Sequence, residues 1–96
     1  MVVSMLQVVF ELVDVTSIKE KRQIVRSIKD KIQRKYRVSI AEVDLQDRLS
    51  FCHLGVAHVS NDKKLGESIM AKIESYMEEQ IPGRLHDSSI HVEMYQ

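Results

Sequence analysis

The sequence predicts a single α+β domain over residues 1–96, with the element order β-α-β-β-α-β. Four segments alternate polar and apolar residues with the two-residue period of strands, and two segments have the 3.6-residue period of amphipathic helices. Each helical segment lies between two strands. Because β-α-β connections are right-handed, both helices are expected on one face of a four-stranded antiparallel sheet. This arrangement is the ferredoxin-like split βαβ fold.

Three periodic segments make up the first half of the chain. Residues 2–15 alternate and predict a long strand whose second face is only partly polar. Ser17 and Glu20 then have the spacing of a capping box, which predicts that a helix begins at Ser17. Its apolar residues recur as far as Tyr36, which gives a helix of about 19 residues. Residues 38–45 alternate again and predict the second strand.

The second half of the chain repeats the order strand, helix, strand. Residues 49–60 predict the third strand, but its buried face stays open, because the two histidines of the segment fall on opposite sides. Asn61 is a good N-cap for the second amphipathic helix, which ends before Pro82 and Gly83. Residues 88–95 predict the last strand.

Composition excludes several classes of protein. Hydrophobic residues make up 44% of the chain and charged residues 29%, which excludes an intrinsically disordered chain. The single cysteine, Cys52, excludes an internal disulfide and a Cys-x-x-Cys site. The first ten residues are apolar but have no basic region before them, so they indicate neither a signal peptide nor a membrane span. We therefore expect a cytoplasmic protein.

Positive charge is concentrated in the first helix. Between Ser17 and Arg37 there are nine basic and two acidic residues, a balance of +7. The rest of the chain has five basic and twelve acidic residues, a balance of −7. A neutral protein with this separation has a dipolar field, and this field bears on its partners more than the net charge does.

The basic residues of this helix are the candidate nucleic-acid-binding site. Four of them lie within an arc of about 80° around the helix axis and form a ladder that fits a phosphate backbone: Lys19, Arg22, Arg26 and Lys29. The other interpretation is a solvated helix face that keeps the protein soluble. The predicted nucleic-acid-binding residues are Lys19, Lys21, Arg22, Arg26 and Lys29.

The sequence contains no motif for catalysis, a cofactor or a metal. The three glycines are scattered, and there is no phosphate-binding loop or nucleophile elbow. His53 and His58 lie on opposite faces of one strand and cannot share an ion. Glu42 and Asp44 share a face of the second predicted strand, and we interpret them as charges that protect a sheet edge. We expect no catalytic residue, no cofactor and no metal site.

Several runs resemble one protein family over nearly the whole chain. They are S-I-K-E-K-R at residues 17–22, V-S-I-A-E-V-D at 38–44, Q-D at 46–47, L-G-V-A at 54–57 and S-N-D at 60–62. With these runs the sequence is similar to the YlxP-like family of small bacterial proteins, which carry a domain of unknown function. The resemblance implies a ferredoxin-like fold and no established catalytic residue. Genes of this family often lie near those for translation initiation and ribosome maturation, so the resemblance also implies a ribosome-associated role.

Two functional hypotheses follow. In the first, the protein is a non-catalytic accessory factor that docks on structured RNA, in the ribosome or a ribosomal subunit, through the basic helix. In the second, it is a protein interaction module or a homodimer that uses the open face of the sheet. The predicted residues of that partner face are Met5, Val9, Val13 and Ile40.

Overall fold

Four strands and two helices follow one another in the predicted order. The computed structural model describes residues 1–96 and gives the elements as β1 (Val2–Leu12), α1 (Ile18–Tyr36), β2 (Ser39–Asp44), β3 (Phe51–Ser60), α2 (Lys63–Gln80) and β4 (Gly83–Met94). The strands form one antiparallel sheet in the order β2-β3-β1-β4, and both helices pack on the same face of it. The predicted ferredoxin-like fold is confirmed.

The core lies between this face of the sheet and the two helices. Leu6 and Phe10 of β1 are fully buried there, in the same apolar cluster as Ile32 of α1 and Ile73 of α2. Burial of one such side chain stabilises the fold by about 1.5–3 kcal/mol, which is more than helix propensity contributes per residue. The helices therefore form here because they pack on the sheet.

The third strand buries the face that carries Cys52, Leu54 and Val56. His53 lies on the open face, whereas His58 is half-buried on the helix side beside Ser4. The alternation of the sequence left this choice open because each face of β3 carries one histidine among small or apolar residues. Only the position of the helices decides which face becomes the core.

The last strand is longer than predicted, since it begins at Gly83 instead of Ser88. Its pairing with β1 shifts in register between Val9 and Phe10, where one residue of β4 is bulged out. This bulge interrupts the alternation of polar and apolar residues, so the sequence pattern reveals only the second part of the strand. A Cβ atom at Gly83 would lie 2.1 Å from the carbonyl oxygen of Glu11, so the tight approach here requires glycine.

Each helix begins at a capping side chain. Ser17 caps α1 as predicted, and its hydroxyl accepts a hydrogen bond from the backbone N–H of Glu20 at 3.1 Å. Asp62 caps α2, where its carboxylate accepts from the backbone N–H of Leu65 at 3.1 Å. The predicted cap at Asn61 is therefore wrong by one residue. Neither helix is long and apolar enough to cross a membrane.

Gly66 allows α2 to approach β1 closely. A Cβ atom at this position would lie 1.9 Å from Oγ and 3.1 Å from Cβ of Ser4. Both residues are buried, and the Ser4 hydroxyl has no hydrogen-bond partner. A Cβ atom at residue 66 therefore requires the Ser4 side chain, the helix or the strand to move.

We expect Gly66→Ala to lower the free energy of unfolding by about 1–3 kcal/mol, because overpacking of the core costs that amount. The sign is opposite to that of helix propensity, which favours alanine over glycine by about 1 kcal/mol. Urea denaturation followed by circular dichroism measures the effect. The double variant Ser4→Ala, Gly66→Ala removes the obstructing hydroxyl and should recover part of the loss. A Gly66→Ala variant as stable as the parent chain would contradict this account.

Candidate nucleic-acid interface

Four cations lie along one flank of α1, and we call them the basic stripe: Lys19, Arg22, Arg26 and Lys29. The first three are exposed and Lys29 is half-buried. The ion pairs of the protein all involve other basic residues, so no carboxylate oxygen lies within 4.0 Å of the charged nitrogen atoms of the stripe. The stripe is therefore a row of unpaired positive charges.

The basic stripe faces away from α2. Lys31 marks the opposite flank of α1, since its ammonium donates a hydrogen bond to Oε1 of Gln80 on α2 at 3.1 Å. At 100° per residue, the centre of the stripe lies about 160° around the helix from Lys31. A ligand can therefore approach the stripe without contacting α2.

The acidic residues of α1 form no ion pair with the stripe. The carboxylate of Glu20 accepts hydrogen bonds from the hydroxyl of Thr16 at 2.8 Å and from its backbone N–H at 3.3 Å. Asp30 follows Arg26 by four residues, but their charged groups do not form an ion pair. Positive charge in the first half of a helix opposes the helix dipole. The stripe therefore does not stabilise α1 through this interaction.

Lys21 is not available to a nucleic acid, and its prediction as a binding residue is wrong. Only 1% of the residue is exposed. Its Nζ donates hydrogen bonds to the carbonyl oxygens of Leu45 and Arg48, both at 2.6 Å, and lies 3.0 Å from Oε2 of Glu42. At 100° per residue, Lys21 falls on the same side of α1 as the buried Val25, so its side chain points toward the buried side of the helix. The charge count alone could not separate it from its exposed neighbours.

The buried ammonium of Lys21 connects α1 to β2 and to the turn that follows. The register of β2 with β3 shifts between Glu42 and Asp44. Glu42 pairs with Leu54 and faces the helices, whereas Asp44 pairs with His53 on the open side. The prediction that the two acids share one face is therefore wrong, because the irregularity interrupts strict alternation.

The open face of the sheet contains two of the four residues predicted for it. Met5 and Val9 are half-buried on the side of β1 that the helices leave uncovered. Ile40 is 8% exposed and packs in the core, where it pairs with the buried Val56, so its prediction as a partner-face residue is wrong. Val13 is exposed but lies one residue beyond the end of β1.

Sequence reasoning missed the part of the open face that β2 and β3 contribute. A shallow groove of about 450 Å³ lies there, with the small residues Ala41, Gly55 and Ala57 in its lining. Met5 and Val43 also line it, and a Cβ atom at Gly55 would lie 2.9 Å from Cγ1 of Val43. The signal in the sequence was the pair of small residues two apart in β3, which lowers the surface where larger strand residues would fill it.

The one cysteine does not add a reactive group. Cys52 is 2% exposed, and burial raises the pKa of its thiol to about 12, with a further increase from the Glu42 carboxylate and an opposing decrease from Lys21. The thiol is therefore protonated at neutral pH and shielded from solvent. No group of three histidine, cysteine, aspartate or glutamate side chains has an arrangement that could hold a metal ion.

Comparisons of the sequence with known proteins find one family. A family model described as "Protein of unknown function (DUF503)" matches residues 3–90. Over 65 residues the chain is 31% identical to the "Uncharacterized protein YlxP" of Bacillus subtilis (strain 168), which covers 68% of this chain and 71% of that protein.

Comparisons with solved structures find the same architecture. A de novo designed protein with a ferredoxin fold, solved by NMR, has a TM-score of 0.53 at 15% identity and covers 97% of this chain and 84% of its own. A protein from Deinococcus radiodurans, described as an antibiotic biosynthesis monooxygenase, has a TM-score of 0.50 at 13% identity, with 100% and 93% covered. At these identities the similarity shows the fold alone.

We expect Lys21→Met to lower the free energy of unfolding by about 3–5 kcal/mol, because loss of one partner of a buried ion pair leaves the other without compensation. Urea denaturation measures the effect. Lys19→Met is the matched control, since it removes an exposed lysine from the same helix and should change stability by less than about 0.5 kcal/mol. Equal stability of the two variants would contradict the structural role of Lys21.

We expect the Cys52 thiol to resist a disulfide reagent in the folded protein at about pH 8, since both its burial and its raised pKa suppress the reactive thiolate. In concentrated guanidinium chloride the same thiol should react at the rate of a free cysteine. The absorbance of released thionitrobenzoate measures both rates. Rapid reaction of the folded chain would contradict the buried position of the thiol.

Proposed function

The chain belongs to the DUF503 family, which is described as a protein family of unknown function, and we propose that it is a non-catalytic accessory factor. In this proposal it docks on structured RNA through the basic stripe. The favoured RNA is that of the ribosome or of one of its subunits. The observation that carries the proposal is the row of four cations without carboxylate partners on one accessible flank of α1.

The geometry of the stripe suits a phosphate backbone. Its four positions extend over ten residues, which is about 15 Å of helix axis. Each cation that meets a phosphate releases condensed counterions, so the attraction is additive along the ladder and independent of base sequence. The acidic balance of the rest of the chain repels RNA, which confines docking to this flank.

Recognition of unstacked bases on the sheet has less support. RNA-recognition modules of this architecture stack bases on aromatic residues of the inner strands. Here Phe10 is fully buried in the core, and Phe51 packs edge-on against His86 with ring centroids 5.5 Å apart. A ladder of cations without an aromatic platform favours the fixed phosphate array of a folded RNA over a flexible single strand.

The test is binding to purified small ribosomal subunits as a function of salt, with an unstructured RNA of equal length as the competitor. The stripe variant replaces four basic residues by glutamine: Lys19, Arg22, Arg26 and Lys29. The control variant removes the same charge elsewhere, by glutamine substitutions at Arg48, Lys63, Lys64 and Lys72, all of them exposed.

We expect the stripe variant to bind the subunit at least about 100-fold more weakly at low salt, and the control variant to bind like the parent chain. If all four cations contact phosphates, the slope of log K against log salt should decrease in magnitude by about 3–4. Equal losses in the two variants would indicate attraction by total charge and would contradict docking through α1. No binding of the parent chain at low salt would reject the proposal and favour an acidic protein as the partner of the stripe.

A further inference from the structure

The open face of the sheet is an uncovered apolar surface. Both helices pack on the other side, so the odd-numbered residues of β1 from Val3 to Glu11 have no layer above them. Val43 of β2 is 49% exposed and Val59 of β3 is 62% exposed on this side. Contiguous apolar surface of this kind marks an interaction site more often than isolated exposed side chains do.

We propose that a second copy of this chain covers the open face, in a symmetric dimer whose two sheets pack face to face. A two-fold interface requires one surface patch to be complementary to itself. The open face can meet this requirement, since it carries a groove with the small residues Ala41, Gly55 and Ala57 and, on the same side, the exposed side chains of Val43 and Val59. Exposed apolar side chains of one copy can pack against the groove of the other.

The size of the face is sufficient for a specific dimer. The four strands have 11, 6, 10 and 12 residues. At about 4.8 Å between strands and about 3.3 Å per residue, the face measures roughly 19 by 33 Å, or about 600 Å² per copy. Two copies would bury about 1,200 Å² in total, which is at the lower end of the range for specific interfaces.

The polar groups of the face favour a protein surface over RNA. Gln7 has a partner within the sheet, because its Oε1 lies 3.0 Å from Nε2 of His53. At the margins, Glu11 pairs with Arg84 at 3.2 Å and Glu93 lies 2.6 Å from His91. With Asp44 and Asp87 also on this side, the carboxylates outnumber the one arginine. Such a face repels phosphates, while its central groove contains no charge.

The dimer leaves the basic stripe free. Because α1 and α2 lie on the far side of each sheet, the two copies would stack in the order helices, sheet, sheet, helices. Both stripes would then face outward on opposite sides of the assembly. The dimer does not depend on RNA docking, so the two proposals can fail separately.

Sedimentation equilibrium in the absence of RNA tests the dimer over a wide concentration range, about 1–200 μM, because buried area alone does not determine the affinity. The matched pair is Val43→Lys on the open face and Leu65→Lys on α2, since these side chains are 49% and 48% exposed. We expect the parent chain and Leu65→Lys to dimerise alike, and Val43→Lys to raise the dissociation constant at least about 100-fold. Ala57→Glu, in the centre of the groove, should have the same effect.

Intermolecular NOEs in an equimolar mixture of ¹³C-labelled and unlabelled chains identify the surface that pairs. We expect them at the methyl groups of Met5, Val9 and Val43. NOEs confined to the helices would overturn the proposal even if a dimer forms. A parent chain that remains monomeric at the highest concentration would overturn it as well, and would leave the face to another protein or a small apolar ligand.

Discussion

The buried ammonium of Lys21 is the contact on which the arrangement of α1 depends. It joins the helix to the carbonyl oxygens of Leu45 and Arg48 and to the carboxylate of Glu42, which lie on β2 and the turn after it. Three acceptors around one charged group favour the same rotation of α1 about its axis that buries Val25, Ile28 and Ile32. With this side of the helix buried, the basic stripe is turned outward, where its charges are accessible.

One-sided packing divides the surface of the molecule into two chemically different regions. The helix layer carries the excess positive charge, whereas the open face of the sheet has an apolar groove bordered by carboxylates. Opposite electrostatic character on opposite sides allows two partners to bind without competing for one site. The proposed RNA docking uses the first region and the proposed dimer uses the second, and neither requires a catalytic group.

Local patterns of the sequence were sufficient for the order of elements and for one cap. The alternation in β1 and the capping box at Ser17 depend on neighbours a few residues apart, so they can be read without knowledge of the fold. The errors occur where residues far apart in sequence meet. Ile40 and Lys21 were both predicted on exposed surfaces. The helices above β2 bury Ile40, and acceptors on β2 and the turn after it bind the ammonium of Lys21. The first part of β4 was missed because a bulge interrupts its alternation.

The sequence by itself determined the fold class, the family and the concentration of positive charge between residues 17 and 37, since each is encoded in composition, in local period or in contiguous runs. Only the tertiary structure decided which of those charges are free and which face of β3 is buried. The physical reason is that burial and pairing are properties of contacts between distant segments. A lysine has the same sequence signature whether its ammonium meets water or, as in Lys21, the carbonyl groups of a distant turn.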